Sequence, residues 1–397
     1  MKRILLVAST TGYQIRAFSG AAEALAVDLT LASDRCHVLD DPWRDHAIAV
    51  RFEDPLAALD EVRARGPFAG IVAVGDRPAR VAARIAEALG LRFSPPDAVA
   101  AAGNKLLARQ RFQAAGLNVP GFRVNQAPAR YPCVLKPLAL SASRGVIRAN
   151  NERQFFAARG RIRKIVEHEP EKSILAEDFI PGREFALEGI VRAGGLHVFA
   201  LFDKPDSLDG PFFEETIYVT PSREPAEIQN AISDAARRAV AALGLTDGPV
   251  HAEMRVNERG VWMLEVAARP IGGLCARVLH FEAGASLEEI ILRHAIGQDI
   301  SRFRLTSGAH GVMMIPVPGE GVFRGVEGVE SARSVGGVED VIITAKEGQM
   351  LLPLPESASY PGFIFARGES AGAVEDSLRK AFLQLHFRLA AALPVVR

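Results

Sequence analysis

The chain has 397 residues, 48% of them hydrophobic, which is enough for two or three domains and too long for one ordinary domain. Its 47 basic and 47 acidic side chains cancel and its pI is about 7.1, so bulk charge gives no case for nucleic-acid or membrane partners. Cys36, Cys133 and Cys275 are odd in number and widely spaced, which fits reduced thiols in a cytoplasmic protein and excludes a disulfide framework or a zinc pattern.

Residues 1 to about 97 alternate strand and helix patterns. "MKRILLVAST" carries an apolar run only from Ile4 to Ala8, too short for a secretion signal, and reads as a first buried strand. "VDLTLAS" and "FAGIVAVGD" are further strands. Ser19 to Ala26 and "RPARVAARIAEALG" are helices. This alternation predicts a parallel sheet flanked by helices. Gly75-Asp76 falls at a strand's carboxyl end, where open α/β sheets bind ligands. "TTGYQ" (Thr10 to Gln14) reads as a plain turn rather than a ligand loop. No G-x-G-x-x-G is present.

"SPPDAV" (Ser94 to Val99) punctuates the chain. A helix carrying Lys105 follows and ends at Gly116. "PCVLK" is a strand ending at Lys136, followed by a small-residue loop, "LSASRGV", and a strand from Gly145. Next come a helix over 151–168, the strand "SILAEDFI" and two antiparallel strands joined at Gly194-Gly195. A helix then starts near Pro225. After a hairpin and the helix "SLEEIILRHAIG", the chain from about 301 becomes short Gly- and Val-rich strands with a terminal helix at about 371–392. No run approaches transmembrane length.

The hairpin is the first candidate site. With Glu258-Arg259-Gly260 as a three-residue loop, Asn257 faces Val261 and Glu253 lies opposite Glu265. One face is then His251, Glu253, Arg255, Met263, Glu265 and Ala267. The other, with Ala252, Met254, Val256, Trp262, Leu264 and Val266, is apolar. Opposed carboxylates about 5 Å apart at Cβ repel unless a cation lies between them. Mg²⁺ with phosphate oxygens meets that need, and a solvated face with Arg255 neutralising one glutamate meets it equally well.

Other groups point to phosphate handling. Lys136 ends a buried strand, where an unpaired ammonium is costly. Beside it Ser141, Ser143, Arg144 and Gly145 form a short loop of the kind that lets backbone N–H groups approach phosphate oxygens. Glu177, Asp178, Phe179 and Ile180 form an acidic hinge suited to the edge and face of a purine, with Glu184 in reach of a ribose. Lys105 alone reads as a solvated helix residue.

The order of these elements resembles the ATP-grasp superfamily from about Lys105 to Gly297. The resemblance implies ATP as a substrate, with Lys105 and Lys136 on its phosphates. It implies "SASRGV" as the phosphate loop, the hinge on adenine, and Glu253 and Glu265 on Mg²⁺ or Mn²⁺. It also implies a fold. An N-terminal parallel α/β domain spans 1–97. An ATP-grasp domain of two α+β subdomains spans 98–300. A small β-rich C-terminal lobe with a terminal helix spans 301–397. Many members carry asparagine where this chain has Ala267, which cannot coordinate a metal. The Glu-x-Ala-x-Arg variant, together with "GVFRGVEGVESARSVGGVEDVIITAKEGQML", resembles dipeptide-forming L-amino-acid ligases.

That resemblance implies an ADP-forming carboxylate–amine ligase acting through an acylphosphate on small-molecule acids and amines. Arg269 would stabilise the developing charge, with Gly272 and Gly273 assisting. Lys204, Glu214, Glu215 and His251 are the candidate substrate contacts. Family members are often homodimers. Two alternatives stay open: a biotin carboxylase-like or purine-type enzyme activating bicarbonate or formate, and a non-catalytic nucleotide-binding module.

Overall fold

The computed structural model describes residues 1–9, 14–34, 47–357 and 359–391. Thr10 to Tyr13 of the "TTGYQ" stretch, and Cys36, lie outside the described residues. The first part comprises β1 (Arg3–Ala8), α1 (Ile15–Ala24), β2 (Asp28–Ser33), β3 (Ile48–Ala49), α2 (Pro55–Arg65), β4 (Gly70–Val74) and α3 (Asp76–Leu89). Its strands pair in parallel in the order β3-β2-β1-β4. Ile4 to Ala8 are fully buried at its centre, which explains the unbroken apolar run. The expected parallel α/β unit is present. Helix α1 begins at Ile15, four residues before the expected start, because Phe18 as well as Ala21 and Ala22 turns into the core.

The chain continues with α4 (Pro96–Ala102), α5 (Lys105–Ala114), β5 (Phe122–Val124), β6 (Cys133–Pro137), β7 (Ile147–Ala149), α6 (Glu152–Ile165) and β8 (Ile174–Asp178). Asn104 caps α5 by accepting from Leu106 N and Leu107 N. That cap fixes Lys105 at the helix's first position. The strands form an antiparallel sheet, β5-β8-β6-β7, with Phe155, Ala158 and Ile162 of α6 packed against Cys133, Leu135 and Ile147.

The third part comprises β9 (Arg183–Arg192), β10 (Gly195–Lys204), β11 (Ile217–Thr220), α7 (Ala226–Leu243), β12 (Gly248–Asn257), β13 (Gly260–Ala267) and α8 (Leu287–Ala295). The last comprises β14 (Ala309–Met314), β15 (Gly321–Glu327), α9 (Val329–Arg333), β16 (Val338–Ile343), β17 (Met350–Leu351), β18 (Gly362–Gly368), α10 (Ala371–Phe382) and β19 (His386–Ala390). One eight-stranded sheet, β13-β12-β9-β10-β11-β14-β18-β16, runs through both parts and across residue 300. Beneath it the apolar face of α7 (Ile232, Ala236, Ala239, Val240) shares a core with Leu187, Ala252 and Met254.

Two expectations are corrected here. The terminal helix ends at Phe382, and residues 386–390 instead form β19 against β15. Their alternation, with His386 and Arg388 exposed and Phe387 and Leu389 half-buried, has the strand period of two. The hairpin turn is also tighter than expected. Asn257 pairs with Gly260, leaving Glu258-Arg259 as the loop, so Val256 faces Val261 and Met254 faces Met263. A bulge at Leu264 then absorbs the one-residue slip and returns Glu253 opposite Glu265. The slip turns Met263 into the core, fully buried, and Leu264 toward the cleft described next.

Candidate active site

A cleft of about 1310 Å³, counted to its open mouth, lies between the β5-β8-β6-β7 sheet and the large sheet. It gathers Lys105, Lys136, Ser141, Ser143, Glu177 to Ile180, Glu184, Glu215, His251, Glu253, Glu265, Arg269, Gly272 and Gly273. Arg144, Gly145, Lys204 and Glu214 are not among its lining residues.

At one end the cations are held by buried carboxylates. Glu177 is 1% exposed and accepts from Arg109 Nε at 2.6 Å, while Lys136 Nζ lies 2.7 Å from its other oxygen. Burial pushes the Glu177 carboxyl up, but Arg109 and Lys136 overcome this and bring it down to about 2. Lys105 Nζ donates to the Leu140 carbonyl at 2.6 Å and lies 3.6 Å from Glu265 Oε2. In the hinge, Asp178 pairs with Arg130 at 2.9 Å. The Phe179 ring has the Arg148 and Arg255 guanidiniums 4.0 and 5.1 Å from its centroid. Both oxygens of Glu184 are engaged, with Lys204 at 3.0 Å and Arg255 at 2.8 Å.

The loop after β6 is strained and closed. Ala142 and Ser143 take φ of +53° and +56°, a left-handed geometry costing about 1–2 kcal/mol per residue. Gly145, at φ +75°, has room for no side chain, since a Cβ would meet Pro137 at 2.7 Å. Its N–H donates to the Pro355 carbonyl at 2.9 Å. Arg144 turns from the cleft to Glu169 and to the Glu356 carbonyl, both at 3.2 Å. The loop is therefore fastened to residues 355–356 of the C-terminal part.

Deeper in, Lys204 is surrounded by Glu184 (3.0 Å), Glu215 (2.5 Å) and Glu253 (3.5 Å). Burial alone would lower the Lys204 pKa; Glu215 and Glu253, with Tyr218 and Glu184, outweigh it and hold the amine charged. Glu214 accepts from Val317 N at 3.2 Å outside the cleft. His251 bridges Glu188 and Glu253, with ring nitrogens 3.2 Å from each. Glu188 is fully buried and its second oxygen accepts from Ile271 N at 3.2 Å. Burial dominates its pKa and raises it.

Arg269, two residues past β13, reaches the N-terminal unit. Its Nε donates to Asp76 Oδ1 at 3.1 Å and its Nη1 to the Pro270 carbonyl at 3.0 Å. Burial disfavours its charge, but Asp76, then Glu265 and Glu253, more than compensate. Gly273 has φ +61°, and a Cβ there would come within 2.9 Å of the Phe363 ring. A Cβ on Gly272 would meet only open space. The two glycines and Arg269 line the same cleft.

Residues 129–278 match the family description "ATP-grasp domain" and residues 313–390 match "L-amino acid ligase C-terminal domain 2". A D-alanine–D-alanine ligase from Gloeobacter violaceus is 30% identical over 230 residues, covering 52% of this chain and 72% of that protein. The chain belongs to the ATP-grasp ligases. As the sequence implied, it is an enzyme of the ADP-forming, carbon–nitrogen bond-making kind. The crystal structure of an L-amino acid ligase from Bacillus licheniformis superposes on this ATP-grasp ligase with a TM-score of 0.83 at 28% identity, covering 98% of this chain and 99% of that one. An alanine–anticapsin ligase from Bacillus subtilis is 27% identical over 219 residues, which span 48% of this chain and 46% of that enzyme.

Several residues of the ligase cleft escaped the sequence reading. Arg109 follows Lys105 by one helical turn, so the shared face was legible in "NKLLARQ". Asp76 was placed at a ligand-binding strand end but not matched to Arg269, which is 193 residues away. Glu188 sits in "FALEGIV", an apolar strand whose lone acid was a signal for a buried pair. Tyr218, Met314 and Tyr360 reach the cleft only through the eight-stranded sheet's long-range pairing.

Proposed function

We propose that this ATP-grasp ligase joins the carboxyl group of an amino acid, or of a similar small acid, to the amine of a second amino acid, forming ADP and phosphate. One observation carries this reading. The cations Lys105, Lys136 and Arg269 share a single cleft with the opposed Glu253 and Glu265, and the same cleft is lined by the mixed set Tyr218, His251, Cys275, Met314 and Tyr360. The named substrates of the relatives, alanine and other amino acids, support the substrate class.

Lys105 and Lys136 would hold the nucleotide phosphates as point charges, with Asp178, Phe179 and Ile180 along the purine. Glu253 and Glu265 offer hard oxygen donors on facing strands, a set that fits Mg²⁺ or Mn²⁺; Ala267 is buried and offers none. The bound ion supplies neutralisation and orientation of phosphate oxygens.

The substrate carboxylate attacks the γ-phosphorus in line, the bond to the bridging oxygen breaks and ADP leaves. Attack by the amine on the acylphosphate carbon puts negative charge on its carbonyl oxygen, which Arg269 would stabilise with Gly272 and Gly273 assisting. As that intermediate collapses, the C–O bond to phosphate breaks, phosphate leaves with the electron pair and takes up the amine's proton, and the amide remains. The fastened loop Ser141–Gly145 and the segment 204–216 keep water from the acylphosphate. Glu215 is the acid we assign to the substrate ammonium. We assign Lys204 the role of counter-cation to Glu184, Glu215 and Glu253 instead of a direct substrate contact. The segments 1–97, 98–300 and 301–397 act as base, nucleotide-binding body and closing lobe.

The test is release of ADP and phosphate with Mg²⁺ across pairs of amino acids and small carboxylic acids, with products read by mass. Release requiring both an acid and an amine, with a condensed product, supports the reading. Release with acid alone and no condensed product for any amine would overturn it.

A further inference from the structure

Away from the cleft, and sharing no lining residue with it, a second pocket is lined by His280, His310, Glu339 and Arg367. His280, His310 and Glu339 each present one donor atom, and these atoms lie within 4.8 Å of one another. The imidazole centroids are 4.7 Å apart, inclined at 48°. Both ring nitrogens of His310 are buried and make no hydrogen bond among the described residues, a costly arrangement for a polar ring unless a partner arrives. Glu339 divides its oxygens: Oε1 is 3.4 Å from Arg367 Nε, and Oε2 is 3.7 Å from His280 Nε2.

The scaffold is firm on every side. His310 lies on β14 opposite Arg367 of β18. Glu339 occupies the bulge of β16 against the same strand. The His280 backbone is pinned through its carbonyl, which accepts from Thr306 N at 2.8 Å and Thr306 Oγ1 at 3.2 Å. We propose that His280, His310 and Glu339 bind a divalent transition metal, Zn²⁺ by preference, at a site separate from catalysis. Two imidazoles and one carboxylate form the three-ligand set that zinc accepts with water in the fourth position. Mg²⁺ prefers an all-oxygen shell and is disfavoured here. Tetrahedral zinc requires donor atoms about 3.3 Å apart, closer than the present spacing of up to 4.8 Å, and His280 and Glu339 are exposed side chains that would have to turn inward to reach it. The bound ion would tie the segment just after the Gly272-Gly273 turn to the C-terminal strands.

The experiment is titration of the untagged, chelator-treated 397-residue chain with ZnCl₂ alone, read by calorimetry and by thermal unfolding. Wild type, His280→Ala, Glu339→Gln and the cleft variant Glu253→Gln are compared. The expected result is zinc binding to wild type with a raised unfolding temperature. Both pocket variants should bind roughly tenfold more weakly or worse, since loss even of outer-shell partners has that effect. Glu253→Gln should retain the binding, and MgCl₂ should give no upward shift that the pocket variants lose. Zinc affinity unchanged in both pocket variants, or no zinc binding by wild type at 100-fold excess over protein, overturns the proposal.

Discussion

Replacing Glu177 by glutamine tests how the cleft keeps its cations in place. The carboxylate lies between Arg109 at 2.6 Å and Lys136 at 2.7 Å, with 1% exposure. Its pKa falls from 4.5 to about 2, which converts to about 3 kcal/mol at 1.36 kcal/mol per unit. Removing one partner of a buried pair independently costs about 3–5 kcal/mol, because the remaining charge is stranded. Glu177→Gln should therefore lower unfolding free energy by about 3 kcal/mol at pH 7, measured by urea unfolding of the free protein. The pH dependence fixes the cause. A depressed carboxyl contributes stability that is complete above its unfolded pKa of 4.5 and is lost as pH falls toward 2. The gap between wild type and variant should be constant from pH 6 to 8 and narrow below about pH 4.5. Equal urea midpoints at pH 7, or a gap that persists undiminished at pH 3, would refute the reasoning.

Four further outcomes follow from the same geometry. Asp76→Asn removes the charged partner of Arg269 and should lower kcat roughly ten- to hundredfold with little change in the KM for ATP; a KM effect alone would contradict a positioning role. Lys136→Ala should raise the dissociation constant for ATP by roughly tenfold or more, as a lost charge-assisted contact does, checked by calorimetry. Glu265→Ala should abolish turnover while far-UV circular dichroism is retained, and sustained turnover would remove it from the metal site. Burial pushes the Cys133 thiol up to about 11 and the Cys275 thiol higher still, with nearby carboxylates adding to both. Neither should react with iodoacetamide at pH 8 in the native protein, and alkylated Cys133 or Cys275 found by peptide mapping would count against this.

Much of this was legible in the sequence because local rules were obeyed. The parallel N-terminal sheet followed from apolar runs alternating with helical patterns, and the opposed Glu253 and Glu265 from strand alternation. That opposition was found through a turn one residue too long: the Leu264 bulge offset the error, and a bulge has no local sequence signal here. The C-terminal strand His386–Ala390 was missed because "AFLQLHFRLAA" is rich in helix formers, and only pairing with β15 decides its state. Residues that act through distant partners were the hardest to see. Asp76 with Arg269 joins two separate units, whereas Glu188 with His251 and Lys204 with Glu184 are cross-strand neighbours of the large sheet, a pairing of segments distant in sequence. By sequence Lys204 is a candidate substrate contact, whereas burial commits its ammonium to Glu184, Glu215 and Glu253.

The central claim is that a substrate carboxylate is phosphorylated before the amine attacks. The most direct measurement uses the acid substrate labelled with ¹⁸O in its carboxyl group, with Mg²⁺, ATP and the amine, and mass analysis of the phosphate formed. Transfer of the carboxyl oxygen to phosphorus predicts one ¹⁸O in each phosphate released. Phosphate without label, formed alongside the condensed product, would contradict the account.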